Sequence, residues 1–350
     1  MPRRRGSAAG VVERAFVEYD EGVVRDFRES LYQTIPREFF QERFGKRTPN
    51  VIKVLLVRET VGYLINRSTE PDEVVSTEVG DREVVVIPSR KLKSREKLTG
   101  LLLCRKLGIV DPAVEYNLIK ERVQLANPNS LTFGDSITEE GGEAVGLPAR
   151  VIYEWSYSLR DKAEITEELT HNALSEEGTM WDKERGEHRE TLFDVQYVKP
   201  GAFFPQFVTF PDVTPEAFAH VMLSILKTTR YGAQSNVMDA NVRNHVVAIA
   251  LDQFEPPISS YLLTKEWGGG EVSLETVVDY CVGKLKECSQ RVLEGEQVEK
   301  LTETLLNLLK EEEKLKQLYL RLLDDSIRYL VECKVVKEGN IGEYLERLSL

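Results

Sequence analysis

Val51-Ile52-Lys53-Val54-Leu55-Leu56-Val57-Arg58 is a β-branched, apolar run of the kind that fills the centre of a sheet. Gly62-Tyr63-Leu64-Ile65-Asn66 continues it as a second extended piece, so Gly62 reads as a bend. Upstream, the first fifty residues mix aromatics with charges, and Phe39-Phe40-Gln41-Glu42-Arg43-Phe44 reads as a short amphipathic segment laid on the body. Downstream, Pro71 to Gly80 is loop-like, and Glu83-Val84-Val85-Val86-Ile87-Pro88 is a strand stopped by proline. A helix is expected next, N-capped by Ser94, with Leu98, Leu101, Leu102, Cys104 and Leu107 at helical spacing and Gly108 at its end.

The same alternation continues with interruptions. Val110 to Leu147 contains Pro112, Pro128, Gly141 and Gly142 and reads as an irregular insertion. Val151 to Tyr157 alternates like a strand with one wet face, and the polar stretch Arg160 to Glu190 breaks the core again. Strand character resumes from Phe193 to Phe210. Pro215 then opens a helix carrying Phe218, Val221, Met222, Ile225 and Leu226, and His245 to Leu251 is a last strand. The order β-α-β-β-α-β predicts an α+β chain with a ferredoxin-like core of the RRM-like kind used by RNA recognition modules. Gly268-Gly269-Gly270 marks the boundary to a C-terminal helical region, where Leu301, Leu305, Leu308 and Leu309 form a stripe opposite Glu311, Glu312 and Glu313. The expected organisation is an N-terminal segment 1–50 packed on a discontinuous core of 51–108, 149–159 and 192–266. An insertion at 109–148, a lid or thumb at 160–191 and a helical region at 267–350 complete it.

With 350 residues, 41% of them hydrophobic and 30% charged, the chain reads as ordinary globular protein. No window approaches eighteen uninterrupted apolar residues, and Met1-Pro2-Arg3-Arg4-Arg5-Gly6 leads into Glu13 and Glu18 rather than an apolar signal core. A cytoplasmic location with no membrane contact is the expectation. Cys104, Cys281, Cys288 and Cys333 form no CxxC pair, which argues against a disulfide framework or a zinc ribbon. No HExxH, GxSxG or P-loop is present. His171, His188 and His220, with the scattered Asp135, Asp182 and Asp239, read as structural or solvated groups, so neither a catalytic residue nor a cofactor is expected.

A net charge of −12 excludes an evenly basic nucleic-acid binder, because phosphate affinity comes from Lys and Arg displacing counterions. Two segments supply a local patch. Ser89-Arg90-Lys91-Leu92-Lys93-Ser94-Arg95-Glu96-Lys97 sets five cations against one carboxylate where a strand runs into a helix. Cations there oppose the helix dipole, which calls for an anion. In Lys227-Thr228-Thr229-Arg230-Tyr231-Gly232-Ala233-Gln234, two cations offer phosphate donors and Tyr231 a stacking plane. Gly232 permits close backbone approach, and Gln234 can bond a sugar or base edge. The ordinary alternatives are a solvated positive face and a helix C-cap. Together the segments would line one groove, extended by Arg58, Arg243 and His245. Met180 and Trp181, large apolar residues in a polar insertion, either anchor their loop or form a tip that meets bases or a neighbouring subunit.

Several blocks carry a resemblance. They are Leu55-Leu56-Val57-Arg58-Glu59, Lys97-Leu98-Thr99-Gly100-Leu101-Leu102, Glu177-Gly178-Thr179-Met180, Phe204-Pro205 with Val208-Thr209, Thr229 to Gln234, and Asn244-His245-Val246-Val247. In this order, from about residue 50 to 265, the chain resembles the backbone subunit of type I-D CRISPR surveillance complexes, a branch of the Cas-seven group in the RAMP superfamily. The resemblance implies an RRM-like core with a thumb insertion and sequence-independent binding of the crRNA backbone. It further implies head-to-tail stacking of copies alongside other effector subunits, with guide bases exposed to pair with the target nucleic acid. Members often carry cysteine pairs and a structural zinc after the first core helix, but Asp111 to Ser130 holds no cysteine. The alternative within the superfamily is a metal-dependent RNA endonuclease.

Overall fold

The computed structural model describes residues 15–45, 47–68, 70, 72–138, 144–172, 181–182, 186–188, 192–232 and 239–350. Before the central run lies α1 (Glu21–Tyr32), capped by the Asp20 carboxylate, which accepts from the N–H groups of Gly22 and Val23. The sequence pattern does not announce this helix. Its buried stripe is only Val24, Phe27 and Leu31, set among charges. The run itself becomes β1 (Asn50–Thr60), buried along almost its whole length, which is why it shows no in–out alternation.

The chain then forms β2 (Ser76–Val79), β3 (Arg82–Ile87) and α2 (Ser89–Lys106). The following insertion is not irregular throughout: it holds α3 (Pro128–Phe133) and the hairpin of β4 (Asp135–Thr138) and β5 (Ala144–Leu147). The single strand expected at Val151–Tyr157 is two, β6 (Ile152–Tyr153) and β7 (Ser156–Asp161). The polar stretch and its exit carry α4 (Lys162–Ile165), β8 (Thr166–Asn172), β9 (Trp181–Asp182), β10 (Glu187–His188) and β11 (Leu192–Val198). Next come β12 (Phe203–Phe210), α5 (Pro215–Lys227) and β13 (Val242–Gln253). The chain closes with α6 (Ser260–Lys265), α7 (Leu274–Cys288), β14 (Arg291–Glu294), α8 (Glu296–Leu308), α9 (Glu312–Glu332) and α10 (Ile341–Arg347). The C-terminal stretch is therefore helical except for β14, whose four residues are too few to interrupt a helical periodicity visibly.

The main sheet has five strands in the order β14-β13-β1-β12-β6, and every neighbouring pair is antiparallel. Without the edge strand β14, this is the ferredoxin-like order, with α2 and α5 as the two crossover helices. The Glu83–Pro88 strand does not join it. As β3 it lies in a separate sheet, β2-β3-β7.

Both faces of the main sheet are covered. On one, Ile52, Val54, Leu56, Val208, Phe210 and Ile249 pack under α2, α5, α8 and α9. On the other, Leu55, Val57, Phe207 and Ala248 pack beneath Ile258, Leu263, Val277, Cys281 and Leu285 from α6, α7 and the chain before α6. RNA recognition modules stack bases on an open sheet face. Here that face is filled, so it offers no such stacking platform. Close packing of the crossover helices depends on Gly100: a Cβ there would lie 2.5 Å from Asn129 Oδ1 and 2.8 Å from Ser224 Oγ.

Candidate RNA-binding surface

The N-terminal turns of α2 carry the first cationic segment. The helix starts at Ser89, one residue after Pro88, and not at Ser94. Ser94 lies inside it, with its hydroxyl bonded to Lys91 O at 3.2 Å. Pro88 offers no side-chain cap and the first turn has no acidic residue, whereas Arg90 and Lys91 lie in it. The dipole conflict is therefore sharper than an N-cap at Ser94 would make it, since nothing on the helix itself offsets the positive end.

The cations of this segment differ in what surrounds them. Arg90 is exposed, and Ser89, Lys91, Lys93 and Arg95 are half-buried. Lys91 Nζ bonds Asn66 Oδ1 at 3.1 Å and the Arg67 carbonyl. Burial, then the charge of Arg90, pulls its pKa down to about 8. Lys93 also sits at about 8, lowered by burial and by Lys97, with Asp135 acting in the opposite sense. Burial is the first cause at both, and an anion placed beside them would favour their charged form. Lys97 is not: it is buried and paired with Asp135 at 2.9 Å, pinning the β4–β5 hairpin to α2. That pairing removes it from the groove.

The second segment follows α5, which ends at Lys227 with Thr228 as C-cap. Gly232, at φ +77°, lies beyond the cap, so it shapes the loop rather than closing the helix. Lys227 and Arg230 are exposed. The two segments touch: Arg95 Nε donates to Arg230 O at 3.2 Å, and the hydroxyls of Thr99 and Thr228 are 2.7 Å apart.

Two expected groove residues are core residues instead. Arg58 is 1% exposed and Tyr231 2% exposed. Arg58 Nη1 pairs with Glu96 Oε1 at 2.6 Å, and Tyr231 OH donates to the same oxygen at 2.7 Å. Tyr153 OH donates to Glu96 Oε2 at 2.5 Å. Burial alone would lower the Arg58 pKa, but the charge of Glu96 more than reverses this and raises it. Burial and then Glu96 hold both tyrosines well above their usual value, so they stay neutral donors. A loop Tyr and a strand-end Arg are legible as aromatic and cationic, but not as joint partners of a carboxylate that lies 135 residues from one and 38 from the other. Arg58 also donates to Gln206 Oε1 at 2.6 Å and Asn244 Oδ1 at 2.7 Å, and nothing local to Glu96, Tyr153, Gln206 or Asn244 signals these contacts.

Arg243 and His245 share Glu59, at 3.6 and 2.8 Å. They pair across β1 on either side of Asn244, so strand alternation turns them to the opposite face from Asn244 and Arg58. The structure thus does not bring them to the α2 segment. Met180 and Gln234 lie outside the described residues, and Trp181 is exposed in the β9–β10 hairpin.

Residues 36–321 match the family described as Csc2 Crispr. The chain belongs to that family. The matched span contains both cationic segments and the whole Arg58 cluster, while α1 and α10 fall outside it. The crystal structure of Thermofilum pendens Csc2 is similar at 16% identity, over 85% of this chain and 95% of that one, with a TM-score of 0.56, which places the two in one fold. A chain of a CRISPR RNA-guided surveillance complex aligns at 11% identity over 67% of this chain and 84% of its own, with a TM-score of 0.42. No curated protein matches the sequence. Among the described residues no helix is long and apolar enough to cross a membrane, and no group of three or more His, Cys, Asp or Glu is placed to hold a metal ion.

Proposed function

We propose that this chain is a crRNA-binding backbone subunit of a type I-D CRISPR surveillance complex. It grips the guide by its phosphates without reading sequence, stacks with further copies along the RNA beside other subunits, and leaves the guide bases to pair with the target. The observation that carries this is the junction of the uncapped, acid-free start of α2 with the cationic loop after α5, on a chain whose overall net charge is −12. Family membership and the fold shared with Thermofilum pendens Csc2 support it. Arg90, Lys91, Lys93, Arg95, Lys227 and Arg230 supply the phosphate donors, with the Ser89 hydroxyl and the backbone at Gly232 beside them. The role is binding rather than catalysis, in a cytoplasmic complex.

The test is affinity for single-stranded RNAs of unrelated sequence. All bind alike, and log affinity falls against log salt with a slope of about −0.7 per phosphate neutralised. Affinity that ignores salt, or that follows sequence, defeats the proposal. Adding complementary RNA and magnesium separates the nuclease alternative: a binding subunit leaves the target strand whole, whereas an endonuclease cuts it.

A further inference from the structure

Beneath the junction of the two cationic segments lies a polar cluster that composition does not require. Buried ion pairs are poor sources of stability, because desolvating both charges offsets most of their attraction. The Arg58–Glu96 pair even leaves Arg58 Nη2 buried without a partner. What the pair does have is reach. Arg58 Nε donates to Gln206 Oε1 on β12 at 2.6 Å, and Nη1 donates to Glu96 on α2 at 2.6 Å and to Asn244 Oδ1 on β13 at 2.7 Å. Glu96 accepts in turn from Tyr153 on β6 and from Tyr231 in the loop after α5. A planar guanidinium with fixed donor directions is suited to setting angles between elements in this way.

The loop is clamped from the same cluster. Asn244 Nδ2 lies 2.9 Å from each of Ile225 O, Thr228 O and Tyr231 OH, so its two N–H groups serve the last carbonyls of α5 beside the tyrosine hydroxyl. Asn241 holds Tyr231 at both backbone atoms, accepting from its N–H and donating to its carbonyl, each at 2.9 Å. Arg230 therefore emerges from a stem whose next residue is held by side chain and backbone together, while α2 is fixed to the same point through Glu96.

We infer that Arg58, Glu96, Tyr231 and Asn244 are positioning residues that set the spacing between the α2 cations and the Lys227–Arg230 cations, so that both segments serve one phosphate track. This rests on the RNA-binding reading above. The cluster touches no RNA itself. It determines how many phosphates are engaged at once.

The experiment uses the full chain with the neutral pair Arg58→Met/Glu96→Gln, which removes both charges and keeps an acceptor for the tyrosine hydroxyls. Tyr231→Phe, which leaves the ion pair in place, is the second variant should the first not fold. The control is Tyr319→Phe, which deletes a buried hydroxyl bonded to His220 Nδ1 at 2.8 Å, away from the loop. Two quantities are read: the salt slope of single-stranded RNA affinity, and hydrogen exchange at the Tyr231 amide. Loss of register between the segments takes Lys227 and Arg230 off the track, so the slope shrinks by about 1.4, that is about 0.7 for each cation. The backbone amide at position 231 exchanges faster in both cluster variants, while the control keeps the parental slope and the parental exchange. Parental slope and parental Tyr231 protection in the cluster variants overturn the inference. If the parent chain binds no RNA, the functional reading fails, and Tyr231 exchange still decides whether the cluster positions the loop.

Discussion

Arg58 and Arg90 stand at the two ends of the same problem. Arg58 is enclosed, and each contact it makes is a fixed distance to a named atom on another element. Arg90 is exposed, at a helix end with no acidic neighbour in its turn. For the buried cluster the dominant energy is desolvation, so removing one partner strands the other. For the rim, on the proposed RNA-binding reading, it is solvent-screened attraction to phosphate, so removing a cation costs little in the free protein and shows only when RNA is added. On the proposed reading, the same residue type serves geometry in one place and affinity in the other.

The largest effect that tests this contrast is Arg58→Ala. Leaving Glu96 buried and unpaired costs about 3–5 kcal/mol in urea unfolding. Arg90→Ala stays within about 0.5 kcal/mol of the parent. Equal losses at the two positions break the comparison. A second core effect is expected at Gly100→Ala, whose Cβ meets Asn129 on α3 and Ser224 on α5. Overpacking there lowers stability by about 1–3 kcal/mol, read as a lower thermal midpoint. A neutral result would mean that α2 and α5 have slack, and that their packing does not fix the segments' approach.

How much of this contrast was legible in sequence follows from its physics. The β-α-β-β-α-β order could be read because β1, β12, α5 and β13 are long and strongly apolar, and their burial dictates residue type locally. The cationic segments could be read because charge and dipole direction are local too. Arg58 was misplaced because its partners are 38, 148 and 186 residues away, and a charged residue gives no local sign of whether it will be enclosed. Lys97 was misplaced for the same reason, its partner Asp135 arriving from the insertion. Ser94 reads as a cap because Ser is a favoured N-cap residue just ahead of the Leu98–Leu107 stripe, whereas the helix already runs from Ser89.

On the rim, replacing Arg90, Lys93 and Lys227 together by Ala leaves the fold intact and weakens RNA binding. The salt slope falls by about 2, at about 0.7 for each phosphate no longer neutralised. The affinities of unrelated sequences fall together. A slope that does not change places the phosphate track elsewhere on the surface.

The finest distinction is by pH, because Lys91 and Lys93 lie between the two regimes, half-buried and both titrating near 8. In the free protein their folded pKa lies below the unfolded value, so folding penalises the charged form. That penalty is fully present below about pH 8, and it is relieved as pH rises from about 8 toward 10.5, where the unfolded chain still holds the protons. Bound phosphate acts in the opposite sense: it favours the charged lysines and draws protons in. RNA affinity at constant ionic strength should therefore decline by a few-fold between pH 7 and 9, with proton uptake visible when calorimetry is repeated in buffers of different ionisation enthalpy. Changing Lys93→Ala should flatten that decline. If the decline survives intact with Lys93 and Lys91 both replaced, the titrating group lies elsewhere, and the junction between buried cluster and rim is not where the anion sits.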